Sequence, residues 1–97
     1  MIRHVVLFTW DDEMTDEMEK QFATELTALA PRLSGLRSYH AGADAGLVEG
    51  NVDFAVVADF ENADSYLAYR SNAEHQDIIR RFSAPHARTR ASVQYEI

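Results

Sequence analysis

The chain has no cysteine, only two prolines and four glycines, and no apolar run that approaches a membrane span. Without cysteine there is no disulfide, no thiolate nucleophile and no cysteine-ligated zinc or iron–sulfur centre. The glycines form no phosphate-cradling loop, and no Gly-x-Ser-x-Gly or comparable nucleophile motif occurs. Basic residues are outnumbered as well. Nine Lys and Arg stand against sixteen Asp and Glu, a net charge of −7, which argues against a nucleic-acid partner because such binding normally needs a basic face. Arg80, Arg81, Arg88 and Arg90 cluster near the C-terminus and read as a solvated surface, with an anion site as the lesser alternative. The apolar opening is too short for a signal h-region, so a cytoplasmic protein without a membrane partner is expected.

Over 97 residues, 46% hydrophobic and 26% charged composition is ordinary for a globular chain. One domain spanning residues 1–97 is expected, at the small end of what buries its own core. Alternation of Ile2, His4, Val6, Phe8 and Trp10 predicts a first strand, and Val5 and Leu7 make its other face apolar too, as in a central strand. Thr15 is placed to cap a helix in which Met14, Met18, Phe22, Leu26, Leu29 and Leu33 recur at spacings of three and four. Pro31 disturbs that helix and Gly35 completes the exit. Leu36–Ala43 reads as a weaker strand, with Leu36, Ser38 and His40 opposed to Arg37, Tyr39 and Ala41. A connection with glycines at 42, 46 and 50 leads to a second strong strand, Val52–Phe60.

Asn62 or Asp64 can cap a short helix through Arg70, and Asn72 can cap another carrying His75, Ile78, Ile79 and Phe82, closed by Pro85. Residues 88–97 alternate as a last strand. The order predicts an α+β, ferredoxin-like β-α-β-β-α-β protomer. Its four-stranded antiparallel sheet carries the helices on one face and the first and third strands at its centre. Val5, Leu7, Ala55 and Val57 then lie on the uncovered face, which predicts a homodimer closed sheet to sheet into an α+β barrel. The alternative is that Arg3, Tyr39, Arg90 and Gln94, assigned to the same face, make it polar enough to be wetted. Asp59 belongs there too, placed to pair with an arginine across the interface.

The pair that looks placed for chemistry is Tyr69 and His75. Six residues apart on one continuous helix they would diverge, but a break at Asn72 can turn both toward one cavity. Near a helix start the imidazole tends to stay neutral and serve as a base, while the phenol can donate to a carbonyl oxygen. The plainer alternative makes His75 a helix-surface histidine and Tyr69 a core aromatic. His4, inside an apolar strand face, needs a hydrogen-bond partner and has Tyr69 and His75 as candidates. With His40 and His86 the histidines are scattered, so no metal and no cofactor is expected. Asp44, Glu49 and Asp53 flank a hairpin and read as solvated.

The opening Ile2-Arg-His-Val-Val-Leu-Phe8, the strand Gly50-Asn-Val-Asp-Phe-Ala-Val-Val-Ala-Asp-Phe60 and the Tyr69–His75 spacing together resemble the stress-responsive A/B barrel (Dabb) family of dimeric α+β barrels. The resemblance covers nearly the whole chain and implies a ferredoxin-like protomer in a barrel-forming dimer. The family includes a plant polyketide cyclase that performs cofactor-free intramolecular aldol chemistry. By that resemblance His75 is the general base, Tyr69 its hydrogen-bonding partner and His4 the histidine of the opening strand. Many members carry His-Pro where this chain has Asn72-Ala73, and often Asp where it has Gln94. The resemblance implies a small aromatic or polyketide-like ligand and catalysis of cyclase or aldolase type. Its alternative is a non-catalytic stress-response or assembly protein whose barrel dimer is the functional unit. A third reading, a cofactor-free monooxygenase with Trp10 in its pocket, rests on fold analogy alone.

Overall fold

The computed structural model describes all 97 residues. Strand β1 runs Ile2–Trp10, helix α1 Asp16–Leu29, strand β2 Leu36–Ala43 and strand β3 Phe54–Phe60. Helices α2 (Ala63–Ser71) and α3 (Ala73–Arg81) follow, then a single helical turn, α4 (Ser83–His86), and strand β4 (Ala87–Glu96). The four strands form one antiparallel sheet in the order β2-β3-β1-β4. This is the ferredoxin-like arrangement, with the two doubly apolar strands at its centre.

Local chemistry sets the helix ends. The Thr15 side chain accepts from Met18 N at 3.1 Å and opens α1, whose first turn carries Asp16, Glu17 and Glu19, favourable against the helix dipole. Pro31 lies in a 3-10 turn, Ala30–Arg32, that ends the helix. Gly35 then adopts φ 76°, a left-handed conformation that leads into β2. A side chain there would also collide with Ser65, whose Oγ lies 2.1 Å from the position a Cβ would take. Pro85 does not close α3. That helix stops at Phe82, and Pro85 sits inside α4, where the first turn has no need of its missing N–H.

The core lies between the sheet and α1, α3 and α4. Val6, Phe8, Trp10, Phe54 and Val56 from the strands meet Phe22, Leu26, Leu29, Ile78 and Phe82 from the helices. Burial of each large side chain contributes roughly 1.5–3 kcal/mol. Trp10 is part of this core and does not reach the space that His4, Tyr69 and His75 line. Its ring stacks on Phe8 with centroids 4.9 Å apart, and its Nε1 donates to Glu19 Oε2 at 2.8 Å.

Strand β3 begins at Phe54 rather than Val52, because Asp53 is used differently. Its carboxylate accepts from Trp10 N at 2.8 Å and its backbone N–H donates to Phe8 O at 2.9 Å, so this residue pins the strand entry instead of being merely solvated. A register shift between Leu36 and Ser38 breaks the simple alternation of β2. Leu36, Tyr39 and Ala41 consequently face the helices, while Ser38 and His40 face away, opposite Asp59 and Val57. Asp59 does lie on the uncovered face, but it pairs within the chain. Arg3 grips it bidentately, Nε to Oδ1 at 2.7 Å and Nη2 to Oδ2 at 2.9 Å, and Ser38 Oγ donates to Oδ2 at 3.0 Å.

Arg90 and Gln94 also fall on the opposite side from the expected one. They pair with Phe8 and His4 of β1 and so project toward the helices. The apolar set of β4 takes the other face, where Ala91 pairs with Leu7 and Val93 with Val5. Because β4 is an edge strand that no helix covers, its residues are exposed after Ala87. No helix is long and apolar enough to cross a membrane.

Candidate functional site

Asn72 makes the break that brings Tyr69 and His75 together. Its backbone N–H donates to Tyr69 O at 3.1 Å and closes α2, while its side-chain Oδ1 accepts from His75 N at 3.0 Å and opens α3. One extended residue, φ −61° and ψ 129°, thus ties the backbones of both. The two rings end 4.0 Å apart between centroids. His4 enters from β1, with its ring centroid 6.0 Å from that of Tyr69 and 4.9 Å from that of Tyr66. All three expected residues are buried, at 3% exposure for His4, 4% for Tyr69 and 9% for His75.

Each has a different polar situation. Gln94 Nε2 donates to His4 Nδ1 at 2.9 Å, which leaves the proton of a neutral ring on Nε2. Tyr69 Oη lies 2.9 Å from Tyr39 Oη. His75 Nδ1 is buried with no hydrogen-bond partner in the protein. Such an orphan is costly in a folded chain, by about 1–3 kcal/mol, and calls for an explanation.

Burial, which disfavours the charged form, holds the imidazoles of His4 and His75 down at about 4. The nearby positive charge of Arg90 acts in the same direction on both, and His4 adds to the effect on His75. Both rings are therefore neutral at pH 7. Burial pushes Tyr39 up to about 12 and raises Tyr69 well above the ordinary phenol range, with the neighbouring Tyr39 adding to it. The phenols stay protonated and act as hydrogen-bond donors.

His4, Tyr69 and His75 line a cavity of about 250 Å³ between the sheet and the helices. Its floor is apolar and buried, built from Phe8, Phe22, Leu26 and Val56, and its mouth is marked by the exposed Arg70, Gln76, Ala84 and Arg90. Gln76 also donates to the Arg70 carbonyl, which links α3 to the end of α2. The remaining histidines lie elsewhere: His40 on the uncovered face and His86 paired through Nδ1 with Asp11 at 3.1 Å. No group of three or more His, Asp or Glu side chains is arranged to hold a metal ion.

Sequence reasoning missed Arg90, which lines the cavity, and Tyr66, Tyr39 and Gln94, which contact His4 or Tyr69. Tyr66 carries no signal beyond its place in a short helix, and the alternation of the strands assigns the other three to the uncovered face. The signal for Gln94 and Arg90 was the strand order itself, since antiparallel pairing with β1 places them beside His4 and Phe8.

The family model described as the stress responsive A/B barrel domain matches residues 2–97. Among solved structures, a dimeric ferredoxin-like protein of unknown function from Thermobifida fusca is 38% identical, with a TM-score of 0.91 over 99% of this chain and 90% of that one. A dimeric protein of unknown function and ferredoxin-like fold from Bacteroides fragilis is 25% identical, with a TM-score of 0.85 over 99% and 95%. The hydroxynitrile lyase of Passiflora edulis is 15% identical, with a TM-score of 0.83 over 99% and 92%, a likeness of fold alone. No curated protein matches the sequence.

Proposed function

The chain belongs to the stress-responsive A/B barrel (Dabb) family, and from that premise we propose that it forms a homodimer, binds a small aromatic or polyketide-like molecule in its cavity and acts on it by cofactor-independent acid–base chemistry of cyclase or aldolase type. The observation that carries the reading is His75 Nδ1, a buried imidazole nitrogen bonded to nothing in the protein, in a residue that lines a cavity. A buried polar atom without a partner, in a residue that lines a cavity, is a candidate to be satisfied by a bound molecule. The hydroxynitrile lyase supports an enzymatic reading only by analogy of fold.

In this reading His75, neutral at pH 7, takes a proton from carbon next to a carbonyl. Tyr69 donates its hydroxyl proton to the developing oxyanion. For that proton to be free, Tyr39 must donate to Tyr69 rather than accept from it, which makes Tyr39 a positioning residue. His4, held by Gln94, orients the far side of the substrate. An imidazole held near 4 is a weak base, which favours an acidified carbon such as the one between two carbonyls of a β-polyketone. Size narrows the ligand further. At about 250 Å³ the cavity exceeds the ~150 Å³ that encloses benzene and lies below the roughly 300 Å³ where drug-sized sites begin. One ring with a short arm fits inside, and a longer chain extends through the mouth.

A thermal-shift screen with aromatic and β-polyketone compounds tests the binding claim. Protection by members of the set is expected, and a flat response at millimolar concentration sinks it. On a compound that is turned over, His75→Ala should keep binding and lose on the order of 10²–10⁴ in kcat. Full turnover by that variant removes His75 from the role of base.

The second reading, a non-catalytic stress-response or assembly protein whose dimer is the functional unit, is favoured by the uncovered sheet face. There Ala91 and Val93 extend the apolar patch of Val5, Leu7, Ala55 and Val57. A contiguous apolar face of this kind is usually an interface.

A further inference from the structure

Six of the eight arginines are paired with carboxylates. Arg3 is held to Asp59, Arg32 to Glu74, Arg37 to Glu61, Arg80 to Asp77, Arg81 to Glu25 and Asp77, and Arg88 to Asp12. The two left over are Arg70 and Arg90, and both line the mouth of the cavity. The only side-chain hydrogen bond Arg90 makes is a long one, Nη1 to Ser92 Oγ at 3.4 Å. In a chain with sixteen acidic residues, no Asp or Glu lines this cavity. The acidic chain has thus kept its carboxylates away from one concave site and placed its two unpaired guanidiniums there.

We propose that the cavity takes a small organic carboxylate, its apolar body against Phe8, Phe22 and Val56 and its carboxylate at the mouth on Arg90, with Arg70 reinforcing the positive field. This rests on the ligand-binding reading given above and adds the ligand's charge to it. A guanidinium presents donors in a planar fork that matches a carboxylate. An apolar wall on one side strengthens the pairing by excluding water. Charge of the opposite sign is absent from the lining, so nothing in the protein competes for the two arginines. The field of Arg90 is felt at His4, His75 and Tyr69, which places its charge over the same cavity.

The test uses a matched pair of probes, 3-phenylpropanoate and its methyl ester, titrated calorimetrically into the full chain at low salt. The acid should bind at least about tenfold more tightly than the ester, as expected for one charge-assisted contact. Arg90→Gln should abolish the preference by weakening the acid alone, and Arg70→Gln should reduce it. Equal affinity for acid and ester in the unaltered protein overturns the carboxylate inference while leaving the pocket reading intact. So does a preference that survives in both variants. If neither probe nor any other ring compound binds, the pocket reading fails and takes this inference with it. Sedimentation of the two variants closes the remaining route: if Arg90→Gln changes the oligomeric state, the arginine serves a subunit contact and the inference falls.

Discussion

Two neutral imidazoles buried within one site make the folded protein sensitive to acid. Both His4 and His75 sit at about 4 when folded, against about 6.5 in an unfolded chain. Between those values the unfolded state binds more protons, so stability rises with pH across the window and is lost as pH falls through it. Across the whole window each ring accounts for up to about 3 kcal/mol of stability if the whole shift is realised. Urea denaturation at pH 7 and at pH 4.5 should show the loss, and His75→Ala should flatten part of it. A His75→Ala protein as acid-sensitive as the parent would show that the titrating groups lie elsewhere. The same burial that lowers these rings keeps Tyr39 and Tyr69 protonated, so residues of opposite acid–base type share one state, uncharged, at neutral pH.

At the level of elements, the junction of α2 and α3 holds the site together through Asn72. Replacing it with alanine removes the Oδ1 acceptor of His75 N and should cost about 1 kcal/mol. Asn72→Asp, which keeps an acceptor, should recover most of it. The ring signals of His75 in an NMR spectrum should shift in the alanine variant and not in the aspartate one. At the start of β2, Gly35→Ala imposes both a left-handed conformation and a collision with Ser65. A loss of about 1–3 kcal/mol is expected in the same denaturation assay, and a neutral result would mean that the strand entry can move away from α2.

Elements were also what could be read most directly from the chain. Alternation in β1, spacing in α1 and the caps Thr15, Asn62 and Asn72 are local features, and local chemistry decides them. The composition of the site was less legible because it depends on which way a strand turns. Alternation divides β4 into an apolar and a polar set but does not say which set faces the helices, and only pairing with β1 puts Gln94 beside His4 and Arg90 beside Phe8. Tyr39 changed sides for a different reason, a register shift after Leu36 that no periodic pattern records. Tyr69, His75 and His4 were within reach because a cap and a strand parity fixed them.

For the whole molecule, the uncovered face has an apolar centre bounded by one ion pair. Val5, Leu7, Ala55 and Val57 lie half-buried on it, Val93 is exposed, and Arg3–Asp59 sits at one end. Val57→Lys should convert the proposed dimer to a monomer in sedimentation at micromolar concentration, with the circular dichroism of the fold retained. A dimer that survives this change would place the subunit contact off this face.

The stack of Trp10 on Phe8 gives the protein an optical reporter of its own. Trp10 is the only tryptophan, it lies in the core, and the ring it rests on, 4.9 Å away, is also part of the cavity floor. Whatever settles against Phe8 therefore perturbs the environment of the single indole at one remove. Intrinsic emission can follow occupancy of the cavity without a label, and a ligand that bound far from both Phe8 and Trp10 would leave that emission unchanged.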